Sequence, residues 1–195
     1  MITSLDQLDL TKEYTYADYL TWQFNDRVEL IKGKIFKMSP APLRSHQHIS
    51  FALALQIGKH IENKTCEAYT APFDVRLVNK RKSTPDNHVT SVVQPDICVI
   101  CDKTKLDEKG CIGAPDWIIE ILSPGNNKKE MKDKFDLYEE NGVKEYWVVY
   151  PEYIQVQVFD LVDDRFSLRG TYINEKIPVK IFEDFSIDTS TIFKM

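Results

Sequence analysis

Two carboxylates stand out by their surroundings. Asp96 follows Pro95 inside the apolar run VVQPDICVI at residues 92–100, and Glu120 lies inside DWIIEIL at residues 116–122, with Ile118 and Leu122 as same-face neighbours at two-residue spacing. Both runs are short, β-branched and apolar, the composition of buried central strands. An unpaired carboxylate in such a strand costs several kcal/mol, so each acid must meet a partner, a metal or water. Two such strands side by side would make an oxygen-rich pocket of the kind that holds Mg²⁺ through one or two carboxylates, a carbonyl, waters and substrate phosphate. Lys134 lies four residues after Glu130 and four before Tyr138, so the three share one helix face. Phosphodiester hydrolysis needs a metal to activate water and a cation to offset charge building on the phosphate, and Lys134 could supply the second. The plain alternative is two solvated or salt-bridged acids at strand ends and an ordinary ion-pair face on the helix. Spacing alone does not separate the two.

The elements that must position these groups follow from periodicity and punctuation. Thr15 caps a short helix carrying Asp18, Tyr19, Leu20 and Trp22, stopped at Asn25. VELIKGKIFKM, residues 28–38, sets Lys32 and Gly33 between two apolar runs, the pattern of a hairpin. From 45 to 63, His46, Ile49, Leu53, Ile57 and Ile61 recur at three- and four-residue steps, which predicts an amphipathic helix long enough to pack across a sheet. A strand is expected over 73–78, then a polar, breaker-rich loop over 79–91 carrying Lys80, Arg81 and Lys82. After the two acid-bearing strands come a charged helix over 127–140, closed by Asn141 and Gly142, and the buried strand EYWVVY. Residues 154–160 and 165–172 alternate like an antiparallel ribbon joined at Asp163 and Asp164. This order excludes a helix bundle and an all-β sandwich. It predicts an α/β (mixed α+β) fold, a mixed sheet flanked by helices and extended by the C-terminal ribbon. Without repeats or a composition break, one domain over 1–195 is expected.

Composition narrows the partners. The 195 residues are 43% hydrophobic and 28% charged, ordinary for a globular domain. Lys and Arg number 25 against 30 Asp and Glu, a formal charge of −5, so any contact with a phosphate backbone must be local. No apolar run is long enough to span a bilayer and no secretory signal opens the chain, which predicts a cytoplasmic protein with no membrane partner. Of the four cysteines, only Cys98 and Cys101 have a zinc-like spacing, and no second pair completes it. All four, Cys66 and Cys111 included, are expected to be reduced core thiols.

VELIKGKIFKMSPAP, the pair His46 and Gln47, QPDICVI, GAPDWIIEILSP and KFDLYEENGVKEYWVVYP occur in that order over about residues 28–151. Together they resemble the Uma-type family of putative restriction endonucleases, within the PD-(D/E)XK nuclease superfamily. The resemblance implies a restriction-endonuclease-like core and a site for Mg²⁺ or Mn²⁺. Pro95 and Asp96 fall on the "PD" of the signature and Glu120 on its second acid, so Asp96, Glu120 and the backbone carbonyl of Ile121 become the implied metal ligands. Leu122 stands where the signature has lysine. In Uma-type sequences the lysine appears on the following helix, a place matched by Lys134, which completes the implied catalytic set; Glu130 stands where the family commonly has Asp. Glu29 matches the glutamate before the hairpin glycine and, with His46 and Gln94, is expected to support the site, although His46 also suits a satisfied, partly buried histidine on the apolar stripe. Lys80, Arg81 and Lys82, with Lys128, Lys129 and Lys132, become phosphate contacts. The implied activity is Mg-dependent endonucleolytic hydrolysis of DNA, with a homodimer able to reach both strands. The rival reading, motivated by Leu122 and the acidic balance, is a non-catalytic nucleic-acid-binding or assembly protein that retains the nuclease fold. A third is hydrolysis of RNA or a small phosphodiester.

Overall fold

The computed structural model describes residues 2–38, 42–78, 85–124 and 128–194. In chain order the elements are α1 (Tyr16–Tyr19), β1 (Val28–Ile31), β2 (Lys34–Lys37), α2 (Arg44–Ile61), β3 (Glu67–Thr70), β4 (Val75–Leu77), β5 (Ser91–Val93), β6 (Ile97–Ile100), β7 (Leu106–Asp107), β8 (Gly110–Ile112) and β9 (Trp117–Ile121). There follow α3 (Lys128–Asn141), β10 (Glu145–Tyr150), β11 (Gln155–Val162), β12 (Arg165–Tyr172), β13 (Lys176–Pro178), β14 (Ser186–Asp188) and α4 (Thr189–Ile192). Among the described residues the strands form two mixed six-stranded sheets, in the orders β2-β1-β5-β4-β8-β7 and β12-β11-β10-β9-β6-β3, with β13 and β14 as a separate pair. The fold is mixed α+β.

Local chemistry explains the turns that set this register. Lys32 and Gly33 have φ of 50° and 79°, so the β1–β2 hairpin closes through two positive-φ residues, the twist that suits a two-residue loop. A Cβ on Gly33 would lie 2.8 Å from the Cβ of Glu13, so this position needs glycine for space as well as for backbone freedom. Asp163 and Asp164, φ 49° and 60°, do the same for β11 and β12, and the ribbon extends the second sheet as expected. Thr15 caps α1 reciprocally with Asp18.

The run 92–100 is not one strand. It divides into β5 in the first sheet and β6 in the second, with Gln94, Pro95 and Asp96 forming the crossing between them. Proline has no N–H to give a ladder, so the continuous apolar pattern is interrupted where Pro95 stands. The consequence is functional. Asp96 sits at the junction of the two sheets rather than in the middle of one.

The second sheet is covered on both faces. Ile49, Leu53 and Ile57 of α2 pack on Ile97, Val99, Trp117, Ile119, Trp147 and Val149. On the opposite face Leu137 and Tyr138 of α3 meet Cys98, Ile118, Tyr146 and Val148, together with Ile31, Val75 and Val93 from the first sheet. Each fully buried Leu or Ile contributes about 1.5–3 kcal/mol relative to exposure.

Two of the expected thiols are not free. Cys66 and Cys101 are joined by a disulfide, while Cys98 and Cys111 remain buried thiols whose pKa burial pushes up. The antiparallel register of β3 and β6 pairs Glu67 with Ile100, and one step further sets Cys66 opposite Cys101. A spacing of 35 residues carries no trace of that pairing. Among the described residues no helix is long and apolar enough to cross a membrane.

Candidate active site

The site is built where β6 leaves the crossing at Asp96. Strand β6 runs antiparallel to β9 with Ile97 opposite Ile119, and one further step sets Asp96 opposite Glu120. Glu120 has the parity of Ile118 and faces α3, whereas Asp96, just outside β6 at the crossing, reaches His46 of α2. Asp96 is fixed at its two oxygens. Its Oδ2 accepts the Ile121 backbone N–H at 2.7 Å, and its Oδ1 lies 3.2 Å from His46 Nε2 in the first turns of α2. The Nδ1 of His46 is buried without a hydrogen-bond partner, so the ring acts through Nε2. Burial pulls the His46 pKa down, but the hydrogen bond and charge of Asp96 and the charge of Glu120 outweigh it, leaving the ring more basic than an ordinary histidine.

Glu120 is buried and accepts two hydrogen bonds at Oε1, from Lys134 Nζ at 3.1 Å and from the Tyr138 hydroxyl at 2.6 Å. Lys134 and Tyr138 stand one helical turn apart on the inward face of α3, which is why one carboxylate meets both. The same amine reaches Glu29 on β1 at 3.0 Å, and Glu29 Oε1 accepts the Gln94 backbone N–H at 2.8 Å. Burial raises the Glu120 pKa; the Lys134 charge opposes this, while Asp96 and Glu29 add to it, and the carboxyl is pushed up to about 7. Burial works against the Lys134 charge, yet the two carboxylates prevail and hold its pKa above the ordinary lysine value. The amine is therefore a fixed cation, and Glu120 is the group that titrates.

These side chains open into a cleft of about 90 Å³. Its walls carry Glu29, Asp96, Glu120 and Glu130 against Arg27 and Lys134, with His46 beside them. Four carboxyls thus face two permanent cations, a lining that favours an added cation. Among the described residues no group of three or more His, Cys, Asp or Glu side chains forms a ready metal cage. The sequence profile of the family Uma2, described as "putative restriction endonuclease", matches residues 16–190. The chain belongs to the Uma2 family. A protein of Synechocystis sp. described as uncharacterized is 25% identical over 150 residues, 75% of this chain and 74% of its own. The crystal structure of a putative nuclease belonging to DUF820 from Anabaena variabilis superposes with a TM-score of 0.72 at 21% identity, covering 92% of this chain and 97% of that one. The Uma2 chain therefore shares that protein's fold.

Of the residues expected from the sequence, this Uma2 protein brings Asp96, Glu120, Lys134, Glu29, His46, Gln94 and Ile121 to one cleft. Lys128, Lys129 and Lys132 lie exposed at the start of α3, with Lys132 paired to Asp136. Lys80, Arg81 and Lys82 fall outside the described residues. Sequence reasoning missed Arg27, whose guanidinium donates to the Gln94 side-chain oxygen at 2.8 Å. It also missed Asp74, which accepts from Gln94 Nε2 at 2.8 Å and from the Tyr16 hydroxyl at 3.2 Å. Neither had a signal in spacing, because both are assembled by the contact of the first sheet with the crossing.

Proposed function

We propose that this Uma2 protein is a Mg²⁺- or Mn²⁺-dependent endonuclease that hydrolyses DNA phosphodiester bonds. The observation that carries the reading is the convergence of Asp96, Glu120 and the Lys134 amine on one acid-rich cleft. The donor set suits a hard cation. Asp96, Glu120 and the Ile121 carbonyl would hold it, and Mg²⁺ commonly takes only one or two carboxylates, filling its other positions with water and substrate phosphate, so a closed protein cage is not required. Such an ion supplies Lewis-acid polarisation of the phosphate and a more acidic bound water.

The chain's own residues divide the remaining work. Lys134, held protonated between Glu29 and Glu120, donates hydrogen bonds toward the oxygens on which charge builds during attack. Tyr138 fixes the orientation of Glu120, and His46 with the Ile121 amide fixes Asp96. Gln94 ties the Glu29 strand to the crossing, so the amine and the acids keep one geometry. Exposed Lys128 and Lys129 take phosphates flanking the cleft. A second copy would let the protein cut both strands of a duplex, and the edge strand β12 offers a surface for pairing.

Supercoiled plasmid nicking in Mg²⁺ and in Mn²⁺ tests the reading. Asp96→Ala and Glu120→Ala are expected to abolish nicking while retaining a cooperative unfolding transition; cleavage equal to the parent by both variants removes the proposed roles. One observation favours a second reading, an inert nucleic-acid-binding scaffold: Glu120 Oε1 is already engaged by Lys134 and Tyr138. Calorimetric titration separates the two, since the scaffold binds no metal through Asp96 and Glu120.

A further inference from the structure

A second cavity, of about 530 Å³, opens beside the acid cleft and shares His46, Leu122 and Ser123 with it. That volume lies in the ~300–1,000 Å³ range of pockets that take a small organic group. The lining changes across the shared wall. On the far side stand Tyr150 and Tyr153, Pro151, Met131 and Leu43, with Lys128 and Glu152 as its charged groups. Tyr153 is 67% exposed and Leu43 54%, so large apolar surface lies open at the mouth of a polar cleft, where it marks a contact for something else. The two tyrosine rings are 6.4 Å apart and tilted by 52°, which leaves ring faces available instead of closing them on each other.

Leu122 acquires a reason from this geometry. It stands where the superfamily signature has lysine, and it lines both cavities. A lysine there would bring an ammonium and its hydration into the apolar pocket, whereas leucine keeps that wall dry and Lys134 supplies the amine from α3. We propose that the pocket holds the base of a nucleotide adjoining the scissile phosphate, unstacked from its neighbours, so that the substrate is single-stranded or locally melted nucleic acid. The inference rests on the nuclease reading above and adds its substrate class. A phosphate and its own base are separated by one sugar, the scale on which two cavities sharing three wall residues adjoin. A base reaches such a pocket only when it leaves the stack. A chain of net charge −5 gains little affinity from the phosphate backbone overall, and stacking on aromatic rings supplies what charge does not. Lys128 on the rim suits the next phosphate.

The test measures binding separately from cleavage. Fluorescence anisotropy in Ca²⁺ compares the full chain on a labelled twelve-nucleotide oligo-dA, on an all-abasic strand of about the same length, and on a duplex. The parent is expected to prefer oligo-dA over both. Tyr153→Ala should weaken oligo-dA about tenfold, within the effect of one lost stacked base, and leave the abasic strand unchanged, while Tyr153→Phe retains parental binding. Equal affinity for oligo-dA and the abasic strand, an equal loss on both in Tyr153→Ala, or no binding to any strand overturns the pocket. Nicking by the parent without base-dependent binding overturns the pocket alone. Base-dependent binding with neither plasmid nicking nor cleavage of the bound oligo-dA in Mg²⁺ or Mn²⁺ upholds the pocket and overturns the hydrolytic reading instead.

Discussion

Two buried acids stand on neighbouring parallel strands, Glu120 on β9 and Glu145 on β10, and they have opposite characters. Glu145 is completely enclosed. Its Oε1 accepts from Trp147 Nε1 at 2.8 Å and from Arg169 at 2.6 Å, and its Oε2 accepts the backbone N–H groups of Lys180 at 2.8 Å and Ile181 at 3.3 Å. Arg169 also grips Asp160 at 2.6 Å, and the Lys180 amine lies 3.6 Å from that carboxylate, so two acids face two cations. Glu120 has the same kinds of partner, an aromatic donor and a cation, but its neighbourhood holds more acids than bases and opens to a cleft. Burial raises the pKa of both carboxyls, so that direction does not tell them apart. The difference lies in charge balance and access. A closed, balanced cluster ties the C-terminal segment to the sheet, whereas an open cluster short of positive charge has room for a cation that the chain does not supply.

Breaking each cluster should therefore damage a different property. Glu120→Gln is expected to lower nicking by about a thousandfold or more, the loss of one strong transition-state contact together with a metal ligand. Its urea midpoint should stay near the parental value, because Glu29 still pairs with Lys134. Glu145→Ala should do the reverse. It leaves Arg169 half-compensated and strands the Trp147 N–H and two amides, a loss of about 3–5 kcal/mol in urea unfolding with metal affinity by calorimetry unchanged in the folded fraction. If Glu145→Ala abolishes metal binding in folded protein, or Glu120→Gln unfolds it, the contrast is lost. Lys134→Met comes next. It should cut nicking about a hundredfold while Mn²⁺ still binds calorimetrically, since the amine belongs to transition-state stabilisation and not to the ligand set.

Part of this contrast was legible before folding. Glu120 drew notice because an acid interrupts an apolar run, and Lys134 because it shares a helix face with Glu130 and Tyr138. The hairpin at Lys32 and Gly33, the stripe of α2, β10 and the ribbon turn at Asp163 were legible for the same reason, since each is a local pattern. Glu145 was not read as a partnered acid, because Arg169 lies 24 residues away and joins it only once β12 closes against β11. The break at Pro95 was hidden by apolar residues on both sides. Strand β3, the pair β13 and β14, and the disulfide are defined by partners beyond the reach of a three- or four-residue period, while β7 and β8 form a local hairpin of strands only 2 and 3 residues long, too short to show any period.

The subtler separation is in pH dependence. The Glu120 carboxyl is raised from 4.5 to about 7, so in metal-free folded protein it keeps a proton that the unfolded chain releases near 4.5. The folded state then binds more protons between those values, and this group's contribution to stability is full below about 4.5 and lost as pH climbs through about 7. Thermal unfolding of metal-free parent and Glu120→Gln should nearly coincide at pH 5, with the variant gaining on the parent at pH 8. Parallel curves at both pH values would mean that Glu120 is ionised throughout. Tyr138→Phe sharpens the point with the smallest change. It removes only the hydroxyl that donates to Glu120 Oε1, a hydrogen bond of about 1.5–3 kcal/mol when the acceptor is charged. Because that bond favours the ionised carboxylate, its loss raises the Glu120 pKa further, and the variant should move both the pH through which this stability is lost and the rise of metal affinity with pH upward. The corresponding removal of the indole donor by Trp147→Phe, beside Glu145, should cost stability without moving the pH dependence of metal binding at all.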